Sequence, residues 1–562
     1  MRWPTLTLAA LCALACTVAI LVGTGHPLQN VNEGEYARIA QEMVHRGAWS
    51  VPTLNGLPYF EKPPLLYWID ALAFRVVGFG PRAARVAPMV GACLALASIT
   101  WIALRHAPPR AALYGPWVLL SAPIVLVLDR VLLFDLLLTG LLACAFAAFL
   151  EAWHQDRSRP WMRASLVFLA LAMLAKGLLP VVLYVLVVAL FAAWERASLI
   201  RLRSLVDPVA IALFLALVVP WHIAAQWQEP GFARFYFVNE HLMRFLDRRV
   251  PHDYHTGPPW HYVPRLLVGM FPWVLLLTRP RRIEAEAPGH VPTVRLLTAW
   301  FVVTFCFFTL SKAKGDYYLV GAAPPIALLC AIRLAEAPLP AWRLALLPAA
   351  WVTLLGGVFA WAVTHPSASA MPARTPVMLV AAAVLSMVSV IAAFRGMRAA
   401  AVAACAAVAL PVATVFSNTI STNEAIRSSA TLAQRVVALK PRDVYLYREF
   451  ETLSALPAYL DRCVGVVDSR SSDLRFGLSL HPDPLRFPDA GTLAATIGSR
   501  RVVVIVPERE AGTLEGSALG DRLHRLEAIG GARLYVSKAI VSDLPSKGPS
   551  VTDCPALPSS GH

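Results

Sequence analysis

The chain has 562 residues, of which 57% are hydrophobic and only 15% are charged. Soluble domains carry about 25% charged residues, and apolar runs of about 20 residues, the length that crosses a bilayer, recur along this chain. A soluble enzyme with one large core is therefore excluded, and we predict a polytopic α-helical membrane protein. The net charge of +15 does not indicate nucleic-acid binding, because many of the arginines lie in short loops between apolar runs.

Hydropathy predicts about 13 transmembrane helices. The first follows Arg2 without a well-placed cleavage site, so we expect a retained helix and not a removed signal peptide. Arginines cluster in alternate loops, which places the N-terminus in the cytoplasm and the C-terminus outside. The predicted spans are 4–23, 82–105, 111–128, 131–152, 162–175, 178–195, 205–226, 262–278, 293–310, 319–335, 341–363, 376–394 and 399–417.

Two long loops fall on the outer side. The first, 24–81, is rich in aromatic, acidic and basic residues, and its segment 64–81 reads as a helix lying at the membrane interface. The second, 227–261, is expected to contain juxtamembrane helices. Residues 1–418 are therefore predicted to form the transmembrane domain, and 419–562, where short β-type runs alternate with helical stretches, a small outer α/β domain with a flexible tail.

Ionisable residues at membrane depth are costly and tend to mark function. Asp135 lies within LLFDLLL and Lys176 within MLAKGLLP. The alternative for each is a side chain that snorkels from a helix end. Lys312, Lys314 and Tyr317 predict an anion-binding segment at the outer face, although the same residues suit the plain end of a helix pair.

The outer loops combine carboxylates, cations and aromatic rings. Cations and tyrosine hydroxyls suit a phosphate group, and carboxylates suit a general base. The His and acidic content, including Glu61, His241 and His255, allows a divalent cation as cofactor, although no spacing matches a strong metal motif. No phosphate-binding loop or dinucleotide fingerprint is present, which argues against ATP-driven transport.

Three segments carry a resemblance to a known family: NEGEYARIA at 32–40, GLPYFEKPPLLYW at 56–68 and NEHLMRF at 239–245. Together they resemble the GT-C class of polytopic glycosyltransferases. The similarity is strongest to the 4-amino-4-deoxy-L-arabinose transferases of lipid A and extends to their dolichyl-phosphate-mannose protein mannosyltransferase relatives. It covers about residues 5–335.

The resemblance implies a polyprenyl-phosphate sugar donor, a lipid A or other glycolipid acceptor, and transfer at the outer face of the bacterial inner membrane. It implies catalytic roles at Asn32, Glu33 and Asp135. The family usually opens its first motif with Asp-Glu, whereas here the first position is Asn32. Either Glu33 carries the carboxylate role, or Asn32 only orients the acceptor, or the activity is altered. Donor and sugar contacts are implied at Tyr36, Arg38, Tyr59, Lys62 and Lys176.

Two other functions fit the same pattern less well. A protein O-glycosyltransferase requires a general base, which Asn32 does not supply. A transporter of polyprenyl-linked sugar is disfavoured because the chain shows no internal repeat. Seven cysteines lie in apolar spans, while Cys463 and Cys554 lie in the outer domain, where a disulfide between them and two separate thiols are equally compatible with the sequence.

Overall fold

The computed structural model describes residues 25–154, 159–246, 248–251, 257–277, 290–336, 339–364, 375–422 and 429–542. The predicted span 4–23, His255 and Cys554 lie outside these residues. The chain divides into two compact units. We call Arg85–Thr419 the membrane unit, and the combination of Gly25–Ala84 with the described residues from 429 onward the α/β unit.

The first segment of the α/β unit contains two helices and a short hairpin. They are α1 (Asn32–Arg46), β1 (Thr53–Leu54), β2 (Leu57–Pro58) and α2 (Leu65–Val77), with β1 and β2 antiparallel. Helix α2 lies where the sequence predicts an interfacial helix, and its exposed face carries apolar residues such as Leu72, Val76 and Val77.

The membrane unit is helical throughout its described part. Its elements are α3 (Val86–His106), α4 (Ala111–Leu120), α5 (Pro123–Leu128), α6 (Phe134–His154), α7 (Arg159–Lys176), α8 (Leu179–Trp194), α9 (Leu199–Leu205), α10 (Pro208–Gln228), a π-helix (Arg234–Met243), α11 (Tyr262–Gly269), a 3₁₀ helix (Trp273–Leu277), α12 (Val291–Leu310), a 3₁₀ turn (Tyr318–Ala322), α13 (Ala323–Glu336), α14 (Ala341–Thr364), α15 (Thr375–Phe394), α16 (Arg398–Ala407) and α17 (Ala409–Thr422).

Every predicted span within the described residues coincides with one or two of these helices. Within them, 7 helices are long and apolar enough to cross a membrane. The predicted span 111–128 is divided into α4 and α5 at Ala122, just before Pro123, which occupies the favourable first turn of α5. The protein is therefore a polytopic helical membrane protein.

The second segment of the α/β unit forms a five-stranded sheet. Its elements are α18 (Ala430–Ala438), β3 (Asp443–Tyr447), α19 (Leu456–Leu460), β4 (Gly465–Val467), α20 (Arg475–Leu480), α21 (Ala490–Thr496), β5 (Val502–Pro507), α22 (Ala511–Glu515), β6 (Leu523–Ile529), β7 (Ala532–Ser537) and α23 (Lys538–Val541). The strand order is β4-β3-β5-β7-β6. Strand β3 is parallel to β4 and β5, whereas β7 is antiparallel to β5 and β6.

The two segments of the α/β unit are joined by buried polar contacts. The Asn55 side chain donates to the carbonyl of Val464 and accepts from its N–H, both at 2.9 Å, as a neighbouring strand would. Arg486 donates to the Asn55 carbonyl at 2.8 Å. The structure thus differs from the predicted division at 418/419: residues 25–84, which the sequence assigns to the transmembrane domain, share a compact unit with the C-terminal sheet.

We expect Gly34 of the NEGEY motif to be required for the packing between the two segments of the α/β unit. A Cβ atom at Gly34 would lie 2.3 Å from the backbone nitrogen of Ala455. We expect Gly34→Ala to lower the free energy of unfolding of the α/β unit by about 1–3 kcal/mol, the usual cost of overpacking. Hydrogen exchange of the β3 and β5 amides in the full-length protein measures this effect. Gly512→Ala is the matched control, because nothing lies within 4 Å of its added Cβ; equal protection in both variants would contradict the expectation.

Candidate functional site

A buried ion pair joins two helices of the membrane unit. Asp135 lies in the first turn of α6, where the helix dipole favours a negative charge. Lys176, the last residue of α7, donates from Nζ to Asp135 Oδ1. Their side chains are only 6% and 10% exposed. Two predicted site residues that are 41 positions apart are therefore brought into direct contact.

Aromatic rings cover the cation of this pair. Lys176 Nζ lies 4.6 Å from the ring centroid of Tyr318 and 5.8 Å from that of Tyr317. Ring faces stabilise a desolvated cation without neutralising it. The predicted residue Tyr317 therefore belongs to this site, together with Tyr318, the next residue of the predicted anion-binding segment. We call Asp135, Lys176, Tyr317 and Tyr318 the ion-pair site.

The turn after Lys176 is fixed by the π-helix. Gly177 has φ +75°, and a Cβ there would lie 2.0 Å from His241 Nε2. That nitrogen accepts a hydrogen bond from the Leu178 N–H at 3.0 Å, while His241 Nδ1 donates to the Tyr236 carbonyl at 2.6 Å. His241 therefore positions the turn that carries Lys176.

The predicted metal set gains no support from these contacts. Both ring nitrogens of His241 are engaged in hydrogen bonds, so the ring has no lone pair left for a cation. His255 lies outside the described residues, and Glu61 belongs to the α/β unit. Within the described part of the chain, no group of three or more His, Cys, Asp and Glu residues is arranged to hold a metal ion.

Lys314 has a structural role in the observed contacts, in contrast to its predicted role in substrate binding. Its ammonium is buried, donates to the carbonyls of Phe308 and Thr309 at 2.9 and 2.7 Å, and lies 5.2 Å from the ring centroid of Tyr262. These carbonyls belong to the last turn of α12, which a cation stabilises. Lys312, by contrast, is exposed.

The residues of the NEGEY motif make different contacts in the first turn of α1. Asn32 Oδ1 accepts from the Tyr36 hydroxyl at 3.1 Å. Glu33 is buried, and its Oε2 accepts from the Gln29 N–H at 3.0 Å. Glu33 thus stabilises the start of the helix, and the catalytic role that the resemblance implies for it stays a prediction.

Glu35 lies in an acidic cluster that the sequence analysis missed. The cluster contains Glu35, Glu61, Glu451 and Asp473. Charges of this cluster also contribute to the pKa values of the neighbouring Tyr59 and Tyr67. Glu451 Oε1 accepts from the N–H of Asp473 at 3.1 Å, which holds the Asp473 backbone against the cluster. Helical periodicity alone could not have singled out Glu35, because Glu33 lies as close to the face of Asn32 and Tyr36 on α1 as Glu35 does.

Burial gives two carboxyl groups of this cluster unusual pKa values. Burial, followed by the charges of Asp473 and Glu451, holds the pKa of Glu35 well above its ordinary value. Burial, followed by the charges of Glu61 and Glu451, raises the pKa of Asp473 to about 7. The hydrogen bond between the two side chains raises the pKa of Glu35 and lowers that of Asp473, so Glu35 holds the proton.

Burial also raises the pKa values of Tyr59 and Tyr67 well above the ordinary tyrosine value, and the charge of Glu61 adds to both shifts. The two phenol groups therefore stay protonated. Tyr36 packs on this group with its ring centroid 6.0 Å from that of Tyr67. The predicted residues Tyr36 and Tyr59 thus line one aromatic and acidic patch.

Arg38 lies inside the α/β unit, in contrast to its predicted contact with a donor phosphate. It is 1% exposed, pairs with Glu42 at 2.8 Å and donates to Gln41 Oε1 at 2.8 Å and to the Pro457 carbonyl at 3.4 Å. A guanidinium satisfied by its own unit has a structural role. Lys62, half-buried, donates to the neighbouring Glu61 carbonyl at 3.2 Å.

Comparisons with known proteins agree with the resemblance. The family model described as dolichyl-phosphate-mannose-protein mannosyltransferase matches residues 5–236. A protein named undecaprenyl phosphate-alpha-4-amino-4-deoxy-L-arabinose arabinosyl transferase, from Shewanella sediminis, is 34% identical over 313 residues, which are 54% of this chain and 55% of that protein. A protein of the same name from Pseudomonas savastanoi pv. phaseolicola is 31% identical over 332 residues, covering 58% and 61%.

The fold also has a solved counterpart. The crystal structure of ArnT from Cupriavidus metallidurans bound to undecaprenyl phosphate superposes with a TM-score of 0.78 at 23% identity, covering 94% of this chain and 98% of that chain. At this identity the match shows the fold alone. The chain spans little more than half the length of the curated relatives, so the predicted similarity to GT-C transferases is confirmed and the activity is a matter for proposal.

Proposed function

We propose that this protein is a glycosyltransferase that moves 4-amino-4-deoxy-L-arabinose from a polyprenyl-phosphate donor to lipid A. The observation that carries the proposal is the ion-pair site. Lys176 is a desolvated cation held at one helix end by Asp135 and by two tyrosine rings. Such a preorganised charge suits the phosphate of a lipid-linked sugar.

In the proposed reaction, a phosphate oxygen of lipid A attacks the anomeric carbon of the sugar. The new bond joins that carbon to the acceptor oxygen, the bond to the donor phosphate breaks, and polyprenyl phosphate leaves with the bonding electron pair. Lys176 stabilises the charge that develops on this leaving phosphate. The acceptor phosphate is already ionised, so no side chain has to remove a proton from it.

Asp135 acts through Lys176 in this proposal. A carboxylate in contact with the ammonium keeps the cation charged and oriented in a buried position. When the donor phosphate binds to Lys176, the ammonium contacts two anions, the phosphate and Asp135. Because Asp135 competes for the ammonium, the leaving phosphate can dissociate after transfer. His241 is not proposed as a metal ligand, because both of its nitrogens are already hydrogen-bonded.

The proposed location is the bacterial inner membrane, with 13 transmembrane helices, a cytoplasmic N-terminus and a periplasmic α/β unit. The alternating arginine loops support this orientation. Cys463, which lies in the α/β unit, takes part in a disulfide bond, and disulfides persist in the periplasm and are rare in the cytoplasm. Cys554 is the partner that we propose.

Transfer to protein hydroxyls is the second candidate function, because the matching family model over residues 5–236 describes protein mannosyltransferases. A serine or threonine hydroxyl has to lose its proton during attack. In the membrane unit, Asp135 would have to act as that base, but its Oδ1 already accepts from Lys176. The ion pair therefore favours an acceptor that is already ionised.

Transfer assays with the purified full-length protein test the proposal. In nanodiscs, we expect polyprenyl-phosphate aminoarabinose and lipid A to give a lipid A product that is heavier by one aminoarabinose residue in mass spectrometry. Dephosphorylated lipid A is the matched control, which should accept no sugar. Transfer to a Ser/Thr-rich peptide with none to lipid A would favour the second candidate. Binding of the donor without transfer to either acceptor would overturn both.

A further inference from the structure

The ring of Tyr318, whose centroid lies 4.6 Å from Lys176 Nζ, is held in place by close packing. The ring centroid of Phe308 lies 5.1 Å from that of Tyr318, and the Tyr317 ring meets it edge-on, also at 5.1 Å. A Cβ atom at Gly315 would lie 2.6 Å from Tyr318 Cε1, far inside van der Waals contact. Glycine at position 315 therefore leaves the space in which the Tyr318 ring covers Lys176.

The first turn of α11 holds the two residues that precede this pair of tyrosines. The Tyr262 hydroxyl donates a hydrogen bond to the Gly315 carbonyl at 3.2 Å. Arg265 donates from Nε to Asp316 Oδ1 and from Nη1 to the His261 carbonyl, the latter at 2.9 Å. His261 Nε2 also lies 3.0 Å from Asp316 Oδ1. These contacts fix the backbone at Gly315 and the side chain of Asp316, directly before the two tyrosines.

Tyr262 connects this attachment to the packing around the Tyr318 ring. Its side chain is buried, and its ring centroid lies 6.3 Å from that of Phe308, in one apolar cluster against which Tyr318 packs. Tyr262 thus contacts the segment before Tyr318 through its hydroxyl and the phenylalanine beside Tyr318 through its ring. We use the name α11 clamp for Tyr262, Arg265, Gly315 and Asp316.

The placement of the Tyr318 ring matters for the ammonium that it covers. A cation–π contact stabilises a desolvated cation only where the cation lies over the ring face. A fixed ring therefore keeps Lys176 in one orientation next to Asp135. Such a preorganised charge stabilises a transition state because it needs no rearrangement at the moment of reaction. A displaced ring should thus slow the chemical step and leave the binding of the acceptor unchanged.

We propose that the α11 clamp positions the Tyr318 ring over Lys176, which makes Tyr262 and Asp316 positioning residues for sugar transfer. The inference rests on the proposed function, because Lys176 acts on the leaving phosphate in that reaction. The contribution of Tyr262 is the larger one, since its side chain is buried. Arg265 and Asp316 are 37% and 70% exposed, and exposed ion pairs contribute little.

The position of the ring can be measured by NMR without any sugar transfer, in the full-length protein isotope-labelled at the Cε atoms of lysine. The Tyr318 ring should shift the Lys176 methylene signal upfield, and Lys176→Met identifies this signal by its loss. Tyr318→Leu gives the position of the signal without the ring. We expect Gly315→Ala and Tyr262→Phe to move the signal toward that position.

Two variants elsewhere in the membrane unit are matched controls. Gly356→Ala adds a methyl group with nothing within 4 Å of its Cβ. Tyr184→Phe removes a buried hydroxyl, which shares a hydrogen bond with Ser165 at 2.7 Å. Both controls should leave the Lys176 signal where it is in the unmodified protein.

In the transfer assay, we expect Tyr262→Phe to lower kcat about fivefold and Gly315→Ala about tenfold, as for loss of a desolvated cation–π contact. The KM for lipid A should stay within about twofold, because the clamp acts on the chemical step. Asp316→Ala should lower kcat about threefold, and Asp316→Glu, which keeps a carboxylate for Arg265, should restore it.

Three results would overturn the inference. One is a Lys176 signal that stays at the unmodified position in both Gly315→Ala and Tyr262→Phe. Another is a raised KM for lipid A at unchanged kcat in these variants, since the residues would then act in acceptor binding. The third is an equal loss of kcat in Tyr184→Phe, which would trace the effect to any lost buried hydroxyl.

The NMR signal and the transfer of sugar fail independently. Unmodified protein that transfers sugar, with a Lys176 signal that no clamp variant moves, would refute the clamp and leave the proposed function intact. Unmodified protein that transfers no sugar, with a Lys176 signal that Gly315→Ala and Tyr262→Phe do move, would refute the transferase and its positioning residues while keeping the contact between the clamp and the ring.

Discussion

Replacing Lys176 by Met is expected to lower sugar transfer to lipid A by about 100-fold or more, the usual effect of removing one preorganised group that stabilises developing charge. The change removes the cation that receives the leaving phosphate in the proposed reaction. Asp135→Asn should have a comparable effect, because Lys176 then loses the carboxylate that orients it. The measurement is the initial rate of lipid A modification in nanodiscs.

Each single variant also leaves a buried charge without its partner, which can cost 3–5 kcal/mol of stability. Activity could therefore fall through unfolding alone. The double variant Asp135→Leu/Lys176→Met separates the two effects, because an apolar pair of similar volume often replaces a buried ion pair without loss of stability. We expect this double variant to unfold at the temperature of the unmodified protein and still to transfer no sugar.

The ion pair at the opposite end of α7 is the matched control. Arg163 and Asp207 form a salt bridge of 2.7 Å that is partly exposed, with Arg163 40% exposed. Such pairs contribute about 0–1 kcal/mol. Arg163→Met/Asp207→Asn, which keeps the side-chain oxygen that caps the start of α10, should therefore transfer sugar within about twofold of the unmodified rate. Near-normal transfer by the Asp135→Leu/Lys176→Met variant would show that the ion-pair site takes no part in the reaction.

The helices of the membrane unit are the part of the fold that the sequence predicts best. The hydropathy of a membrane span is averaged over about as many residues as the helix contains. Predicted and observed helices therefore agree within a few residues, as for the predicted span 293–310 and the helix Val291–Leu310. Strand β6 escaped prediction because His524, Arg525 and Glu527 place polar side chains on both of its faces, which hides the apolar alternation of a strand.

The sequence predicts Asp135 and Lys176 as separate site residues, but it does not predict their contact. Asp135 and Lys176 each stand out because a charge inside an apolar run is costly. Their contact depends on the packing of α6 against α7, which no local pattern encodes. The same limit explains Lys314: its sequence context resembles an anion site, but only the structure shows that the carbonyls of α12 already satisfy the ammonium.

The acidic cluster could be predicted least. Glu35 and Asp473 are more than 400 positions apart, and Asp473 follows two serines in a segment with no recognisable motif. Their contact exists because residues 25–84 fold with the C-terminal sheet, which contacts such as Asn55 with Val464 maintain. The sequence places Arg38 on a charged loop, and its burial follows from the same association.

The acidic cluster predicts that the α/β unit becomes less stable as the pH rises through neutrality. In the folded state the pKa of Asp473 is about 7, against an ordinary value of 3.8, so the folded state binds more protons than the unfolded state between these values. Stability then falls by about 1.4 kcal/mol per pH unit for this group. The raised pKa of Glu35 acts in the same direction. We expect a loss on the order of 3 kcal/mol between pH 5 and 7.

Hydrogen exchange of the β3 and β5 amides in the full-length protein, corrected for the intrinsic effect of pH, measures this slope. Glu35→Gln and Asp473→Asn should each flatten it, because an amide does not titrate and also removes one charge from its neighbours. Asp489→Asn is the control: Asp489 lies exposed at the start of α21, and hydrogen bonds to Thr492 hold its pKa below the ordinary value, so it stays ionised over this range. Its variant should keep the slope of the unmodified protein. A flat profile in the unmodified protein would mean that the cluster is ionised in the folded state, since only a proton held by the folded carboxyl groups makes stability fall with pH here.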